Sequence, residues 1–234
     1  MVKAFVGAGG KTTLIRQEAK KYLEQGCKGF VTTSTHMYIE ENTLLTDNAD
    51  QIINELEEKH YVMAGIADGI KMRALSGETY EKVCAFADVV LVEADGSKHM
   101  PLKFPNHSEP VIYDNVDEII VVYGLHALGK RACEVVHRLY LSKKFYPLKD
   151  DTLITEEHME KIVMKGYVEP LQKKYPEEEI HVQPNLYLGN LKLGCVIMAS
   201  GMSRRFGKNK LLEEFHGKTL IQRVVDITGG DLFV

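Results

Sequence analysis

Cysteine is scarce in this 234-residue chain: Cys27, Cys84, Cys133 and Cys195 are the whole supply, and no two form a C-x-x-C pair. Neither a zinc ribbon nor a redox couple is expected, and reduced, mostly buried thiols are the simplest reading. Positive charge is lacking too. The formal net charge is -4, so the chain has no global attraction to DNA, RNA or anionic lipid. No apolar stretch approaches the roughly 20 residues that a bilayer span requires, and the sequence opens without a charged-then-apolar leader. These absences predict a cytoplasmic protein with neither a nucleic-acid nor a membrane partner. No internal repeat, low-complexity tract or Pro/Gly/Ser linker divides it. With 44% hydrophobic and 26% charged residues, the composition suits one good core and a small appendage.

What is present begins at residue 4. The apolar run Ala4-Phe5-Val6 leads straight into Gly7-Ala8-Gly9-Gly10-Lys11-Thr12-Thr13. Glycines without side chains let successive backbone N–H groups converge on phosphate oxygens, and a following helix adds unpaired N–H groups and the positive end of its dipole. In this reading Lys11 reaches the β- and γ-phosphates, the Thr12 hydroxyl coordinates Mg²⁺, and Thr13 sits near the α-phosphate. The spacing G-x-x-x-x-G-K-[ST] would require glycine where Phe5 stands, so the loop is a compressed P-loop, similar to that of Mur ligases. A dinucleotide-binding turn competes through Gly7 and Gly9. It fails at Thr12, where a third glycine belongs, and it gives Lys11 no task.

Helical periodicity follows over residues 14–25, closed by Gly26, with further helices predicted over 49–58, 78–86 and 156–165, the last capped by Thr155. Strands are predicted at 29–33, 61–64, 89–93 and 119–122. Continuous apolar runs such as Val89 to Val92 suit strands covered on both faces, so the expected fold is a three-layer, P-loop NTPase-like α/β domain with a mostly parallel sheet. Glu177-Glu178-Glu179 reads as a solvated turn.

The strand ending Leu91-Val92-Glu93-Ala94-Asp95 carries two carboxylates to the carboxyl edge of that sheet, on one face, where open α/β sheets place ligands. Asp95 is expected in the Mg²⁺ shell and Glu93 as the group that orients water or acts as base. The alternative is a pair of solvated strand-end acids. Lys98 and Lys103, in the proline-bearing loop that follows, can meet phosphate or an acidic substrate, or can be merely solvated. Thr32-Thr33-Ser34-Thr35-His36 ends the strand after the first helix. It places Thr33, Thr35 and His36 as candidates near a γ-phosphate, with a polar cap as the alternative for His36. The segment 182–187 supplies no N-K-x-D motif, so the base, adenine or guanine, stays open.

On these residues the chain resembles the YqeC family over roughly residues 1 to 170. The resemblance is carried by the glycine loop, Thr32 to His36, Val92-Glu93-Ala94-Asp95-Gly96-Ser97, Pro101-Leu102-Lys103, His107-Ser108-Glu109-Pro110-Val111 and Gly124-Leu125-His126-Ala127-Leu128-Gly129-Lys130. It implies an accessory role, dependent on nucleotide, in maturing a selenium-dependent molybdenum hydroxylase, which would be the client protein. A second pattern, Gly194 to Leu212, resembles the opening of MobA/MocA-type nucleotidyltransferases. That resemblance implies triphosphate contacts from Gly201, Arg205 and Lys210. The expected organisation is a nucleotide-binding domain over 1–190 and, over 191–234, a truncated strand-loop-helix fragment too short to transfer nucleotides alone.

The expected cofactors are Mg²⁺ and a nucleoside triphosphate, ATP or GTP, and the leading function is an NTPase or nucleotide switch, with Lys11, Glu93 and Asp95 as its catalytic groups. Kinase- or ligase-like activation of a small acidic substrate and a non-catalytic, nucleotide-sensing adaptor are the alternatives. A homodimer is left open.

Overall fold

The computed structural model describes residues 1–185, 214–215 and 217–219. The chain divides into two compact units, Met1–Tyr187 and Leu188–Val234. Of the second unit, the described residues form a short antiparallel pair, Glu214–Phe215 with Lys218–Thr219. The strand and glycine loop expected over 194–212, with Gly201, Arg205 and Lys210, lie outside the described residues.

The first unit is an α/β fold around one sheet. Its opening strand β1 (Val2–Gly7) feeds α1 (Lys11–Glu24), which leads to β2 (Gly29–Thr33) and then the short β3 (His36–Tyr38) and β4 (Leu44–Leu45). After α2 (Ala49–Lys59) come β5 (Tyr61–Asp68), β6 (Lys71–Arg73), α3 (Gly77–Phe86) and β7 (Val89–Glu93). The chain continues through β8 (Leu102–Lys103), β9 (Glu118–Gly124), α4 (Ala132–Val135), β10 (Val136–His137) and α5 (Ser142–Phe145). It closes with α6 (Glu156–Val163), a π-helical turn (Met164–Val168), α7 (Glu169–Lys174) and β11 (Glu179–Asn185). The sheet order is β11-β9-β1-β7-β2-β5-β6-β3, with β4 beside β5. Every pairing from β11 through to β5 is parallel, and β6 and β3 are added antiparallel.

Alternation along the central strands explains the layers. On β7, Val90 and Val92 pack with Ile52, Leu56 and Val83 from α2 and α3, while Val89 and Leu91 pack with Ile15 and Ala19 from α1. On β1, Ala4 and Val6 join Val163, Tyr167 and Leu171 of the α6–α7 region, while Phe5 turns to the α1 side. Helices thus cover both faces, and the parallel strands read as apolar runs because neither side meets water. Phe5 and Phe30 are wholly buried, and each such side chain contributes about 1.5–3 kcal/mol of burial free energy.

Two local differences from the sequence reading have clear causes. Helix α1 begins at Lys11, three residues before the predicted start, because Gly10 already occupies the cap with φ 113. Strand β5 runs on past Ala64 to Asp68 and returns through Gly69 as β6, a hairpin whose Asp68-Gly69 turn signal the sequence reading passed over. Thr155 caps α6 as expected, its hydroxyl accepting from the His158 N–H while the His158 ring takes the Thr155 N–H. Glu177 and Glu178 lie in a bend, but Glu179 already opens β11. Among the described residues, no helix is long and apolar enough to cross a membrane.

Candidate functional site

The carboxyl ends of β1, β7, β9 and β11 converge on the glycine loop. Gly7 leaves β1 with φ 90, and a Cβ there would lie 2.2 Å from the Val122 carbonyl oxygen of β9. Gly9, at φ 77, passes so close to Gly124 that a Cβ would sit 2.3 Å from its nitrogen. These positions need glycine both for the left-handed backbone and for the close approach of neighbouring chain. The loop is also tied from below: the Gly7 N–H donates to Asp95 Oδ2 (3.1 Å), Ala8 N–H to Val122 O (2.8 Å) and Gly9 N–H to Met100 O (3.1 Å).

Above these ties the start of α1 is unguarded. Gly10 provides no side-chain cap, and the first turn has no acidic residue. Helices α2, α3 and α6 are instead capped by Asn48, Ser76 and Thr155. The leading N–H groups of a helix have no intrahelical partner, and they carry the positive end of the dipole. Lys11 lies at that end almost wholly buried, donating to the Gly7 carbonyl (2.8 Å), with Nζ 3.2 Å from Asp95 Oδ1. Thr13 occupies the same first turn, half-buried.

Both acids are buried, so the solvated strand-end alternative fails. Glu93 Oε2 accepts from the Thr12 hydroxyl at 2.8 Å. Burial pushes its carboxyl above the usual range, and the charges of Asp95 and Glu40 add to this, while Lys11 and the Thr12 hydroxyl pull the other way. Asp95 is wholly enclosed. Its Oδ2 accepts from the Gly7 N–H and from the Tyr167 hydroxyl (2.9 Å) and lies 3.2 Å from Lys103 Nζ. Its Oδ1 faces Lys11 but accepts no hydrogen bond. The carboxylate beside the Thr12 hydroxyl is Glu93, whereas Asp95 is engaged with two lysines, a phenol and a backbone amide and anchors Lys11.

The other expected residues scatter. Lys103, for which solvation was an alternative, has no exposed side-chain surface and bridges Asp95 to Glu109 at 2.6 Å. Lys98 is exposed. The Thr33 hydroxyl donates to the Glu93 carbonyl (2.8 Å) and ties β2 to β7, a structural task. Thr35 Oγ1 is buried without a hydrogen-bond partner. His36 lies exposed on β3, 3.1 Å from Asp68, at the end of the sheet order, and Tyr38 of the same strand stacks on His99, next to the Met100 whose carbonyl accepts the Gly9 N–H. The Thr33 hydroxyl and the Ser34 N–H both donate to the Glu93 carbonyl, and the Thr35 N–H donates to the Thr33 hydroxyl, so these residues build the turn that follows β2.

Sequence reasoning missed Tyr167 and Asn185, whereas Glu109 and Arg138 entered it as supporting or structural residues. Asn185 ends β11, and its side-chain amide donates to the Gly9 carbonyl at 2.7 Å. A Cβ on Gly10 would lie 2.0 Å from that amide nitrogen, so Asn185 forms the loop's outer wall. Glu109 accepts from both Lys103 and Arg138. Burial works against its charge, but the two cations outweigh it and hold its carboxyl down at about 2.

Comparison with known families adds to this geometry. The YqeC protein family matches residues 3–140, more than half of the chain. The chain belongs to the YqeC family. That match encloses the glycine loop, Glu93, Asp95, Lys103, Glu109 and Arg138, whereas Tyr167 and Asn185 lie beyond it. A relative, "Uncharacterized protein YqeC" of Escherichia coli (strain K12), is 33% identical over 149 residues. The matched region spans 58% of this chain and 57% of that YqeC protein's length. Residues 195–230 match the MobA-like NTP transferase domain. No solved structure matches the chain.

Proposed function

We propose that this YqeC-family chain is a Mg²⁺-dependent, P-loop nucleotide-binding protein that hydrolyses a nucleoside triphosphate, ATP or GTP, or switches on binding it. The observation that carries the reading is the start of α1: uncapped, free of acids, preceded by glycines that exclude any Cβ, and holding a buried lysine. Such a terminus offers N–H groups to phosphate oxygens. Lys11 would turn from the Gly7 carbonyl to the β- and γ-phosphates, with Asp95 holding it in place.

The residues fit Mg²⁺. This ion takes hard oxygen ligands, keeps several waters and uses one or two protein groups beside the substrate's phosphates. Thr12 and Glu93, already paired at 2.8 Å, would hold it, with Asp95 behind Lys11 and not in the ion's shell. When bound, Mg²⁺ neutralises charge on the β- and γ-phosphates. Burial also raises the Glu93 carboxyl above its ordinary range, which makes its carboxylate a stronger proton acceptor for a water beside it.

Family membership supports the further reading of an accessory factor for maturation of a selenium-dependent molybdenum hydroxylase. The MobA-like match at 195–230 supports the same molybdenum-cofactor context.

Thermal unfolding with Mg²⁺ and ATP or GTP tests the binding. At a hundredfold excess over the dissociation constant, nucleotide adds about 2.7 kcal/mol, or roughly 5–10 °C for a domain of this size. The shift is expected to vanish in Lys11→Ala. No shift with either nucleotide would refute the reading, and a shift with no phosphate release above background would leave a nucleotide-sensing adaptor.

A further inference from the structure

The charges beneath the loop continue as a chain. Lys11 meets Asp95 at 3.2 Å, Asp95 meets Lys103 at 3.2 Å, and Lys103 meets Glu109 at 2.6 Å. Glu109 then receives both arms of the Arg138 guanidinium, Nη2 at 3.0 Å from Oε1. Alternating signs keep each buried group compensated, as burial of charge demands. The sum over the five is nevertheless one positive charge, and the last member, Arg138, is partly exposed.

Arg138 emerges in the wall of a hollow of about 400 Å³, which it shares with Lys98, His137, Tyr140, Cys133 and Asp150. Three nitrogen-bearing side chains face one acid there. Burial, then the charges of Arg138, Lys103 and Lys98, push the His137 imidazole below its ordinary value, a sign of positive potential in the hollow. Tyr140 is largely exposed and offers an aromatic wall. Lys98 and Arg138 both hold left-handed backbone, at φ 50 and 60, a conformation that costs non-glycine residues about 1–2 kcal/mol. The segment bearing Lys98 also touches the glycine loop, since the Met100 carbonyl accepts the Gly9 N–H and the Pro101 carbonyl accepts the Gly124 N–H. The hollow and the loop therefore share both a charge chain and a stretch of backbone.

We propose that this hollow is a second binding site, which takes the phosphate or carboxylate group of a small acidic molecule between Lys98, His137 and Arg138. Its volume suits a metabolite-sized ligand, and the N–H groups that Arg138 does not give to Glu109, together with the Lys98 ammonium, are charged donors for either oxyanion. Binding here does not require the loop to hold nucleotide. Only the coupling of the two sites through Asp95 and Lys103 rests on that reading.

Cys133 supplies the measurement, because its thiol is exposed in the hollow while Cys27 and Cys84 are half-buried. Alkylation of Cys133 by N-ethylmaleimide is followed by peptide mass spectrometry in the full chain. Inorganic phosphate and citrate are tested separately against sodium chloride at matched ionic strength. At ten times its dissociation constant, a bound anion should slow labelling about tenfold. The protection is expected to weaken at least threefold in Lys98→Gln, a change at an exposed position that leaves the buried chain intact. Protection by phosphate alone identifies a phosphorylated ligand, and by citrate alone a carboxylate ligand. No protection by either anion overturns the proposal. So does protection undiminished in Lys98→Gln. Since nucleotide is absent throughout, none of these results bears on whether the loop binds it.

Discussion

Lys103 meets Asp95 at 3.2 Å with no surface of either side chain exposed, and the same carboxylate faces Lys11 through its other oxygen. One buried acid thus holds two buried lysines, one from the loop and one from the strand that follows the Lys98 segment. Removing it leaves Lys11 without its ion-pair partner and Lys103 with Glu109 alone. Asp95→Asn is expected to destabilise the chain by about 3–5 kcal/mol, the usual cost of breaking a buried ion pair from one side. Urea denaturation at pH 7 measures it, and Asp95→Asn combined with Lys103→Met should recover part of the loss. A loss below about 1 kcal/mol would mean the network is not closed as described.

Gly9 and Gly77 form a contrasting pair. A methyl at Gly9 meets Gly124 backbone at 2.3 Å and must adopt φ 77, whereas a methyl at Gly77, in the first turn of α3, meets nothing within 4 Å. Gly77→Ala should be neutral or stabilising by up to about 1 kcal/mol, and Gly9→Ala should cost more than that. Their melting temperatures should move in opposite directions or, at the least, only Gly9→Ala should fall.

Glu93 is raised above its ordinary value of 4.5 by burial. A raised folded value means that the folded state favours the protonated acid. Its contribution to stability is full below pH 4.5 and is lost as pH rises through the folded value. Glu93→Gln, which keeps a group able to accept from the Thr12 hydroxyl, should therefore melt above the native chain at pH 8, with the margin closing toward pH 4.5. An identical margin at both ends would contradict the assignment.

Glu109 has the opposite sign. Its carboxyl is held near 2 against an ordinary 4.5, so the ionised form stabilises the fold above pH 4.5 and that contribution disappears as pH falls toward 2. Glu109→Gln should be the less stable chain at pH 7 and should converge with the native one in acid. Paired melting curves between pH 2 and 7 would register the convergence.

Much of this architecture was legible because it is written in neighbouring residues. A strand, a glycine turn and a lysine opening a helix form one continuous stretch, and the apolar runs of β7 and β9 announce a sheet covered on both faces. Lys103 was less legible, since a lysine in a proline-bearing loop reads as solvated until Asp95 and Glu109 close around it. Tyr167 and Asn185 lie 72 and 176 residues from the atoms they contact, and no local pattern signals such distances. The different contacts of Glu93 and Asp95 have the same origin. Two acids one residue apart look equivalent in a strand, and only the positions of Thr12 and Lys11 above them decide which meets the hydroxyl and which the ammonium.

Tyr167 reaches Asp95 from within the π-helical turn Met164–Val168. Such a turn holds one residue more than the α-turn it replaces. A single deletion ahead of Tyr167 within those five positions would restore a regular helix, retain nearly all its apolar residues and move Tyr167 one position back along it, turning the phenol from its present direction. The site is therefore sensitive to the phase of a helix as well as to the identity of its side chains. A relative could keep Gly7 to Thr13, Glu93 and Asp95 unchanged and still lose the phenol beneath the loop through a change in length alone.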